Sequence, residues 1–400
     1  MDAKVPVDPS ADRPDQAGDA PLCRICGART EALYQSVSEV ALLSSARPVR
    51  GSTVVHLCPA CAHAQTKPLM DLSNYYSSDY QFRTRSDDED DLYDRVDDRI
   101  IYRSEHQANV AERKIDFARP MRVIDYGCGK ALSLRLLAAR HPKIRPHVFD
   151  VSDSYRKYWN EFVPSEQQAS FKVPEGWLGA MDAVLSFFAL EHVEDPHGFV
   201  TELRCLLRPG GEIFVIVPNV LRNISDLLVV DHVSHFSSAS LTTLLAGHGF
   251  VGISIDCDAF RGAFVVRAIL DSGDGAESAK PASLADLTAL REVADFWREA
   301  TSRIQKTEAD SHGGRSAIYG SGIYGQFIAS VLGDCGLVSC FIDQNPFRQG
   351  TSYMNIPVIA PAEVGDDVRL IYVGLNPALA RHAIAGVKSL HEISREYFYL

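Results

Sequence analysis

The chain has 400 residues, which is enough for two or three domains. Hydrophobic residues make up 46% and charged residues 23%, the balance of a globular protein with a sizeable core. The formal net charge of -12 argues against nucleic acid as a partner, because no basic face is available to displace counterions from phosphates. We find neither a secretory signal nor an apolar run long enough to span a bilayer, so we expect a cytoplasmic protein without a membrane partner.

Four cysteines near the amino end predict a metal site. They form two CxxC pairs, Cys23 with Cys26 and Cys58 with Cys61. Two such turns supply the tetrahedral sulfur ligands that Zn²⁺ prefers, and a site closed by four protein ligands is structural. We therefore predict a zinc-binding module over residues 21–75, preceded by a disordered tail over residues 1–20, which are rich in Asp, Pro and Ala.

Strand-like and helix-like patterns alternate from about residue 105 to 270, which indicates βαβ units and a mainly parallel sheet. The predicted strands are Arg122 to Asp125, His147 to Asp150, Ala183 to Phe188, Glu212 to Val217 and Phe264 to Ala268. Helical spacing lies between them at Leu132 to Ala139, Gly198 to Leu207 and Ser240 to Gly247. The acidic run from Asp87 to Asp98 is interpreted as a solvated helix face.

The carboxy-terminal third predicts a second, smaller unit. Asp271-Ser-Gly-Asp-Gly275 has the composition of a linker, and Leu284 to Ile304 has the spacing of a helix that bridges two domains. Gly320-Ser-Gly-Ile-Tyr-Gly325 follows a strand pattern and fits the dinucleotide fingerprint. The expected boundaries are residues 76–270 for a central domain, 271–315 for the linker and helix, and 316–400 for a Rossmann-like domain.

A second glycine turn lies in the central domain. Val123-Ile-Asp-Tyr-Gly-Cys-Gly129 is an apolar strand that runs into a turn, where a Cβ at Gly127 or Gly129 would intrude on a close ligand. Leu132 replaces the third glycine of the dinucleotide fingerprint, and S-adenosylmethionine has no pyrophosphate that would need it. Asp150 ends the next predicted strand, where its carboxylate could accept hydrogen bonds from both ribose hydroxyls.

These pieces, followed in order by a fourth strand and its loop (Met181 to Val193) and the turn Leu206-Leu-Arg-Pro-Gly-Gly211, strongly resemble the class I S-adenosylmethionine methyltransferases. The resemblance implies an α/β, Rossmann-like core. It also implies a cofactor site formed by Asp125, Gly127, Cys128, Gly129, Asp150, Phe188, Ala189 and Leu190.

The whole layout resembles a narrower family. A cysteine module, a methyltransferase core and a second Rossmann-like domain are the arrangement of the sugar C-methyltransferases of deoxysugar biosynthesis, and Phe341 to Gly350 is similar to that family's final domain. The resemblance implies methylation of a nucleotide-linked 4-keto sugar at the carbon beside its carbonyl. It also implies a terminal domain that helps to hold the nucleotide sugar and binds no dinucleotide.

The catalytic candidates come from the same resemblance. The family's Tyr-His-Glu-His segment aligns with Val229-Val-Asp-His232, which implies His232 as the base and Asp231 as the residue that orients it. His192 matches a second histidine of the family's active site, and Tyr76 or Tyr80 matches a tyrosine from its amino-terminal module. His232 and His192 also fit a purely structural role.

Two other functions stay open at this point. The loss of the family's tyrosine and glutamate, which are Val229 and Asp231 here, favours an O- or N-methyltransferase on the same scaffold, acting on a sugar or another small molecule. A working NAD site at Gly320-Ser-Gly-Ile-Tyr-Gly325 would make the protein a nucleotide-sugar oxidoreductase. The sequence leaves open the acceptor, the methylated atom and the oligomeric state, and a monomer is compatible with it.

Overall fold

The computed structural model describes residues 20–45, 47–79, 90–96, 99–273, 277–310, 314–333 and 338–400. The predicted tail, apart from residue 20, lies outside these ranges. Within them, no helix combines the length and the apolar character that crossing a bilayer requires.

The strands and helices form three main sheets with helices packed against them. In chain order, the strands are β1 Glu31–Gln35, β2 Val40–Leu42, β3 Pro48–Arg50, β4 Val54–Leu57, β5 Ala64–Thr66, β6 Leu92–Val96, β7 Arg99–Tyr102, β8 Met121–Tyr126, β9 Ile144–Asp150, β10 Gln168–Ser170, β11 Met181–Phe187, β12 Leu207–Pro218, β13 Ser234–His235, β14 Phe250–Asp256, β15 Ala263–Leu270, β16 Arg315–Tyr319, β17 Val338–Ile342, β18 Ser352–Tyr353, β19 Ile356–Ile359, β20 Val368–Val373 and β21 Glu396–Tyr399. The helices are α1 Leu72–Asn74, α2 Arg103–Lys114, α3 Leu132–Arg140, α4 Arg156–Trp159, α5 Pro196–Leu206, α6 Ser238–Ala246, α7 Leu284–Asp310, α8 Ile323–Leu332 and α9 Pro377–Ala385.

The central sheet has seven strands in the order β10-β9-β8-β11-β12-β15-β14. All pairs are parallel except those of β15, which runs antiparallel to both of its neighbours. This arrangement is the class I methyltransferase fold, so the predicted α/β core is confirmed. The five predicted strands are present, and the sheet adds the edge strands β10 and β14. Parallel strands end at one edge, which brings the loops after β8, β9 and β11 together.

The acidic run contains a hairpin where it is described. Strand β6 pairs antiparallel with β7, so the interpretation as a helix face is wrong for this part. The tyrosine in β6 explains the difference, because tertiary packing decides the conformation. The Tyr93 ring stacks on His106 with 3.8 Å between ring centroids, and its hydroxyl accepts a hydrogen bond from the Arg261 backbone at 2.9 Å.

The amino-terminal part is joined to the core by main-chain pairing. Its sheet has the order β1-β4-β5-β13, and β13 comes from the loop after the central strand β12. Arg24 strengthens this junction, because its guanidinium donates to the carbonyl oxygens of Val233 at 2.6 Å and Thr66 at 3.2 Å. A segment of the central domain thus completes the amino-terminal sheet.

The carboxy-terminal part contains a six-stranded sheet in the order β18-β19-β17-β16-β20-β21, parallel except for the β18–β19 pair. The predicted long helix is present as α7 and extends to Asp310. It contacts all three parts of the molecule. Trp297 donates to the Ile224 carbonyl at 2.9 Å, and Arg291 pairs with Glu31 at 2.7 Å. Arg303 donates to the Tyr399 carbonyl in the carboxy-terminal part at 2.6 Å.

Candidate active site

One large cavity is lined by residues from all three parts of the chain. Its volume is about 1910 Å³, and its walls include Tyr76, the turn 127–129, the loop after β11, and Arg348. Pockets for one small ligand usually measure about 300–1,000 Å³. The cavity therefore has room for a cofactor and a second, large molecule side by side.

The glycine turn after β8 lies on the cavity wall. Gly127 and Gly129 have φ angles of +73° and +49°, in the left-handed region that favours glycine. A Cβ at Gly127 would lie 2.9 Å from the Ala189 side chain, whereas the space beside Gly129 is open. The expected intrusion of a Cβ thus applies to Gly127 against its protein neighbour, and Gly129 is required for its backbone conformation.

Two carboxylates stand at the ends of neighbouring strands. Asp150 accepts hydrogen bonds from the Gly129 and Ser152 backbones at 2.8 and 3.0 Å, and burial raises its pKa. Asp125 is 2% exposed, and its Oδ1 has no hydrogen-bond partner among the described residues. Burial and the nearby Asp150 raise the pKa of Asp125 to about 8. An unpaired buried acceptor beside a cavity fits a ligand that brings a donor or a positive charge.

The loop after β11 forms the adjacent wall. Phe188 has a φ of +55°, which is unusual for a bulky residue, and the Arg103 guanidinium lies 3.9 Å from its ring centroid. Phe188, Ala189 and Cys128 line the cavity as expected. The prediction that Leu190 belongs to the cofactor site is wrong, because Leu190 is 2% exposed and packs in the central core instead of lining the cavity.

A polar cluster also lines the cavity, through Tyr76, His192 and His232. Tyr76 donates to Asp231 Oδ2 at 2.7 Å and lies 2.5 Å from His192 Nδ1. Asp231 is fully buried and also accepts two hydrogen bonds from Ser44, at 2.7 Å from its backbone and 2.6 Å from its hydroxyl. The structure thus brings together four of the five predicted catalytic residues, including His232, whose ring centroid lies 4.6 Å from that of His192. Tyr80 lies outside the described residues.

His232 is oriented by a residue that the sequence did not reveal. Its Nδ1 lies 2.6 Å from Asp226 Oδ1, and His235 Nδ1 lies 2.8 Å from Asp226 Oδ2. The predicted orienting residue, Asp231, instead holds Tyr76. The available signal was the position of Asp226 in an otherwise apolar stretch, because a carboxylate in a buried segment needs partners.

The two histidines at the cavity have opposite pKa shifts. Burial and the neighbouring charge of His232 lower the pKa of His192 to about 4. Burial alone would lower the pKa of His232, but the charge and hydrogen bond of Asp226 outweigh it and raise the pKa to about 9. In the protein without ligands, the positive charge therefore resides on His232 near neutral pH.

Glu191 is a second residue of the site that was not predicted from the sequence. It lines the cavity, is 1% exposed, and neither of its carboxylate oxygens has a hydrogen-bond partner among the described residues. Burial raises its pKa to about 7, although the charge of His232 opposes the shift. Its position in Leu-Glu-His was the only sequence signal, and that tripeptide did not distinguish it from a surface acid.

The four predicted zinc ligands meet at one point, away from the cavity. Cys23 and Cys61 have their Sγ atoms 3.6 Å apart, and Cys26 and Cys58 have theirs 3.4 Å apart. A tetrahedral site with Zn–S bonds of about 2.3 Å places sulfurs about 3.8 Å apart. All four are free thiols, so the donor set and spacing fit a structural zinc ion.

The carboxy-terminal wall of the cavity includes Arg348 and Tyr353. The Arg348 guanidinium donates to the Ser321 hydroxyl at 3.3 Å and lies 3.8 Å from Asp343. Asp343 accepts from both the backbone and the hydroxyl of Ser321, at 3.0 and 2.5 Å. Asp343, which comes directly after β17, the strand that follows the fingerprint Gly320 to Gly325, is thus hydrogen-bonded to that glycine turn.

Comparison with known proteins identifies the central domain. Residues 102–255 match the family described as "Methyltransferase domain". Two curated relatives are named ubiquinone biosynthesis O-methyltransferase. The one from Methylocella silvestris is 32% identical over 103 residues, covering 25% of this chain and 40% of the relative, and the one from Cupriavidus pinatubonensis is 29% identical over 113 residues, covering 27% and 45%. The chain spans less than half the length of each.

Among solved structures, a geranyl diphosphate C-methyltransferase from Streptomyces coelicolor A3(2) is 15% identical, with 41% of this chain and 75% of that chain covered and a TM-score of 0.34. The family match concerns the central part of the chain. Residues 102–255 are therefore a methyltransferase domain, and the predicted enzyme class, an S-adenosylmethionine-dependent methyltransferase, is confirmed for this domain.

Proposed function

We propose that the protein transfers a methyl group from S-adenosylmethionine to a carbon beside the ketone of a nucleotide-linked deoxysugar. The observation that carries this proposal is one cavity whose lining includes both the glycine turn and residues of the Tyr76 cluster. A volume of about 1910 Å³ suits a cofactor together with an acceptor as large as a nucleotide sugar.

The cofactor side has the groups that S-adenosylmethionine needs. Asp150 would accept from the ribose hydroxyls, and the unpaired Oδ1 of Asp125 would face the positively charged methionine end. The backbone at Gly127 and Gly129 would leave room for the cofactor between them. When bound, S-adenosylmethionine supplies an electrophilic methyl on a sulfonium sulfur, which becomes a neutral thioether as the new bond forms.

The acceptor side supplies acid–base groups. Removing a proton beside a ketone gives an enolate, so the site needs a proton acceptor and a positive group near the ketone oxygen. Tyr76, held between His192 and the Asp231 carboxylate, and His232 with Asp226 provide such groups within one cluster. Cavity walls from separate parts of the chain would hold the carbon in line with the methyl group.

The cysteine site supports the fold in this proposal. Cys23, Cys58 and Cys61 are buried and pack in the same apolar cluster as Phe236 and Leu241 of the central domain. A zinc ion held there would fix the amino-terminal wall that carries Tyr76. It would take no part in the reaction, because the four sulfurs close its coordination.

Oxygen methylation is the second candidate. The two curated relatives carry the name O-methyltransferase, and Val229 and Val230 replace the tyrosine and histidine that the sugar enzymes place before the acid. An acceptor hydroxyl is more acidic than a carbon beside a ketone and would need fewer of the cluster's groups. The two candidates differ in the atom that receives the methyl group.

The product decides between them. Purified protein is incubated with S-adenosylmethionine and a panel of nucleotide-linked 4-keto sugars, and a gain of one methyl group is sought by mass spectrometry, with the bond assigned by carbon NMR. We expect a C–CH₃ product and, without cofactor, exchange of the adjacent proton with deuterium. An O–CH₃ or N–CH₃ product would refute carbon methylation and leave the cofactor assignment in place.

A variant links the reaction to the polar cluster. His232→Ala should lower methylation by about 10²–10⁴-fold, as expected for loss of a group that acts in proton transfer. Binding of S-adenosylmethionine should stay unchanged, because His232 lies outside the cofactor turns. Full activity of this variant would remove His232 from the reaction.

A further inference from the structure

Three side chains on the acceptor side of the cavity are arranged like metal ligands. Glu191, His192 and His232 each offer one ligand atom, and these atoms lie within 4.8 Å of one another. All three residues line the cavity. They are separate from the four-cysteine site and provide one carboxylate and two imidazoles.

The buried carboxylate of Glu191 needs a partner that would balance its charge or bind its oxygens. Glu191 is 1% exposed, and both of its oxygens are buried without a hydrogen bond among the described residues. Buried polar atoms in folded proteins are nearly always paired with protein, water or an ion. A cation between Glu191 and the two rings would satisfy this carboxylate.

Both histidines are already oriented as metal ligands usually are. His232 Nδ1 lies 2.6 Å from the Asp226 carboxylate, and His192 Nδ1 lies 3.0 Å from the Asp231 carbonyl oxygen. In each ring the hydrogen-bonded nitrogen is Nδ1, so Nε2 is the nitrogen left for an ion. Histidine ligands typically donate their other ring N–H to a carboxylate or a backbone carbonyl, which fixes the tautomer and the ring orientation.

We infer that Glu191, His192 and His232 form a binding site for one divalent first-row transition-metal ion. Two imidazoles and one carboxylate suit ions such as Mn²⁺, Co²⁺, Fe²⁺ and Zn²⁺, and three protein ligands leave coordination positions open to the cavity. The inference rests on the proposed function only for the role of the ion, and the site itself is tested without any acceptor.

The ion would supply Lewis-acid chemistry, polarising the ketone oxygen of the acceptor without any change in oxidation state. His232 would then be a ligand instead of the base. The proton from the carbon would pass to the Tyr76 oxygen as the Tyr76 hydroxyl proton moves to Asp231 Oδ2, which lies 2.7 Å away. The enolate carbon would then bond to the methyl carbon of S-adenosylmethionine as the methyl–sulfur bond breaks, and its electron pair would stay on sulfur to give S-adenosylhomocysteine.

The test uses the full chain with one zinc ion per chain, which the four thiolates of the cysteine site take in preference to nitrogen and oxygen ligands, and with excess zinc removed. Added Mn²⁺ then meets a second site that is free of zinc. Binding is followed by electron paramagnetic resonance of free Mn²⁺. We expect one Mn²⁺ per chain. Glu191→Gln, which keeps the side-chain shape, should weaken Mn²⁺ binding at least tenfold. Even residues that only hydrogen-bond to a metal ligand lower metal affinity about ten- to hundredfold when they are mutated.

A second variant keeps the test decisive if Glu191→Gln folds poorly. His232→Asn places an amide where Nδ1 was and removes Nε2, so it should lose Mn²⁺ and retain its contact with Asp226. Glu194→Gln is the matched control, because Glu194 is an exposed carboxylate on the same cavity wall and should bind as the unaltered protein does.

S-adenosylmethionine binding is measured by calorimetry in the same samples. Absence of saturable Mn²⁺ binding, or equal binding by the protein and its Glu191→Gln and His232→Asn variants, would overturn the metal site. Loss of cofactor binding alone would contradict the proposed function and leave the metal site standing. Mn²⁺ binding weakened by both variants and unaffected by Glu194→Gln would establish it.

Discussion

Two aspartates that line the cavity, Asp125 and Asp150, differ in how their carboxylates are hydrogen-bonded. Asp150 is satisfied by backbone N–H groups, which fix the position of its carboxylate. Asp125 keeps one buried oxygen unpaired. The first arrangement suits a rigid acceptor for two hydroxyls, and the second suits a positive ligand, so each aspartate has a distinct role on the cofactor side.

Asp150→Ala should weaken binding of S-adenosylmethionine by about 1.5–3 kcal/mol, or roughly 10- to 150-fold, because hydrogen bonds to a charged group are lost. Isothermal titration calorimetry measures the dissociation constant. The control is Asp153→Ala, an exposed carboxylate just after β9. A dissociation constant unchanged by Asp150→Ala would exclude this residue from the cofactor site.

Tyr76 is the residue that joins the amino-terminal part to the chemistry. Tyr76→Phe removes the oxygen between His192 and Asp231 and should lower methylation by about 10²-fold or more, in the range of lost general acid–base catalysis. Cofactor binding should not change. Methylation rates with saturating cofactor give the measurement, and activity equal to that of the unaltered enzyme would show that the phenol takes no part in proton transfer.

The residues that could be predicted from the sequence were those inside recognisable motifs. The glycine turn, Asp150 and the four cysteines each occur at a spacing with a chemical meaning. Asp226, Glu191 and Ser44 could not be found in this way, because their roles depend on contacts between distant segments: Ser44 and Asp231 are 187 residues apart. Nothing in the local sequence around Ser44 specifies that contact.

At the scale of elements, sequence periodicity predicted the five inner strands of the central sheet but not its two edge strands, β10 and β14. The five central strands are apolar and hydrogen-bonded on both sides, so their pattern is strong. Strand β10 has three residues, and β14 carries a register irregularity, which weakens the local signal. The β6–β7 hairpin was missed because acidic residues concealed the alternation that lets Tyr93 pack on His106.

The ion pair between α2 and β14 should make the stability of the protein depend on pH. Lys114 at the end of α2 donates to Asp256 at the end of β14 at 2.6 Å, and this bond lowers the pKa of Asp256 to about 2. A lowered folded-state pKa stabilises the protein above the unfolded-state pKa of about 4, and this contribution is lost as the pH falls from about 4 to about 2.

Asp256→Asn should therefore remove about 1 kcal/mol of stability at pH 7 and flatten the loss of stability between pH 4 and 2, the size being limited by partial exposure of the pair. Urea denaturation at several pH values measures the free energy of unfolding. Asp258→Asn, at an exposed neighbour, should leave the slope as it is. An equal slope in Asp256→Asn and the unaltered protein would contradict this assignment.

At the scale of the whole molecule, the parts depend on one another. Strand β13 of the central domain completes the amino-terminal sheet, and α7 contacts both of these parts and the terminal domain. The sequence predicted an order of domains, and their interdependence follows from long-range pairing that no single segment contains. The cavity exists only because the three parts are held together.

Loss of the metal from the cysteine site should thus affect the central domain as well as the amino-terminal part. Cys58→Ser should lower zinc content and thermal stability together, since metal-binding energy contributes to folding. Because the cysteines pack in the central core, cofactor binding should weaken as well. Metal analysis and differential scanning calorimetry measure these effects. Purified protein that folds and binds cofactor without zinc would contradict a structural role for the ion.

The terminal domain should determine acceptor binding and leave cofactor binding unaffected. Arg348 lines the cavity from the loop after β17, and its guanidinium suits a phosphate of a nucleotide-linked acceptor. Arg348→Met keeps much of the side-chain volume and removes the charge. The KM for the acceptor should rise about tenfold or more, as for a lost charge-assisted hydrogen bond, and should lose part of its salt dependence. The dissociation constant of S-adenosylmethionine should remain the same.

Arg315→Met is the matched control, because Arg315 belongs to the same domain and pairs with Asp367 on the surface. This control separates loss of one positive charge from loss of a charge inside the cavity. Steady-state kinetics at two salt concentrations, with saturating cofactor, make the comparison. Equal KM values for the two variants would remove Arg348 from the acceptor site. A rise confined to Arg348→Met would place a phosphate of the acceptor against the terminal domain and the reacting carbon near the central one.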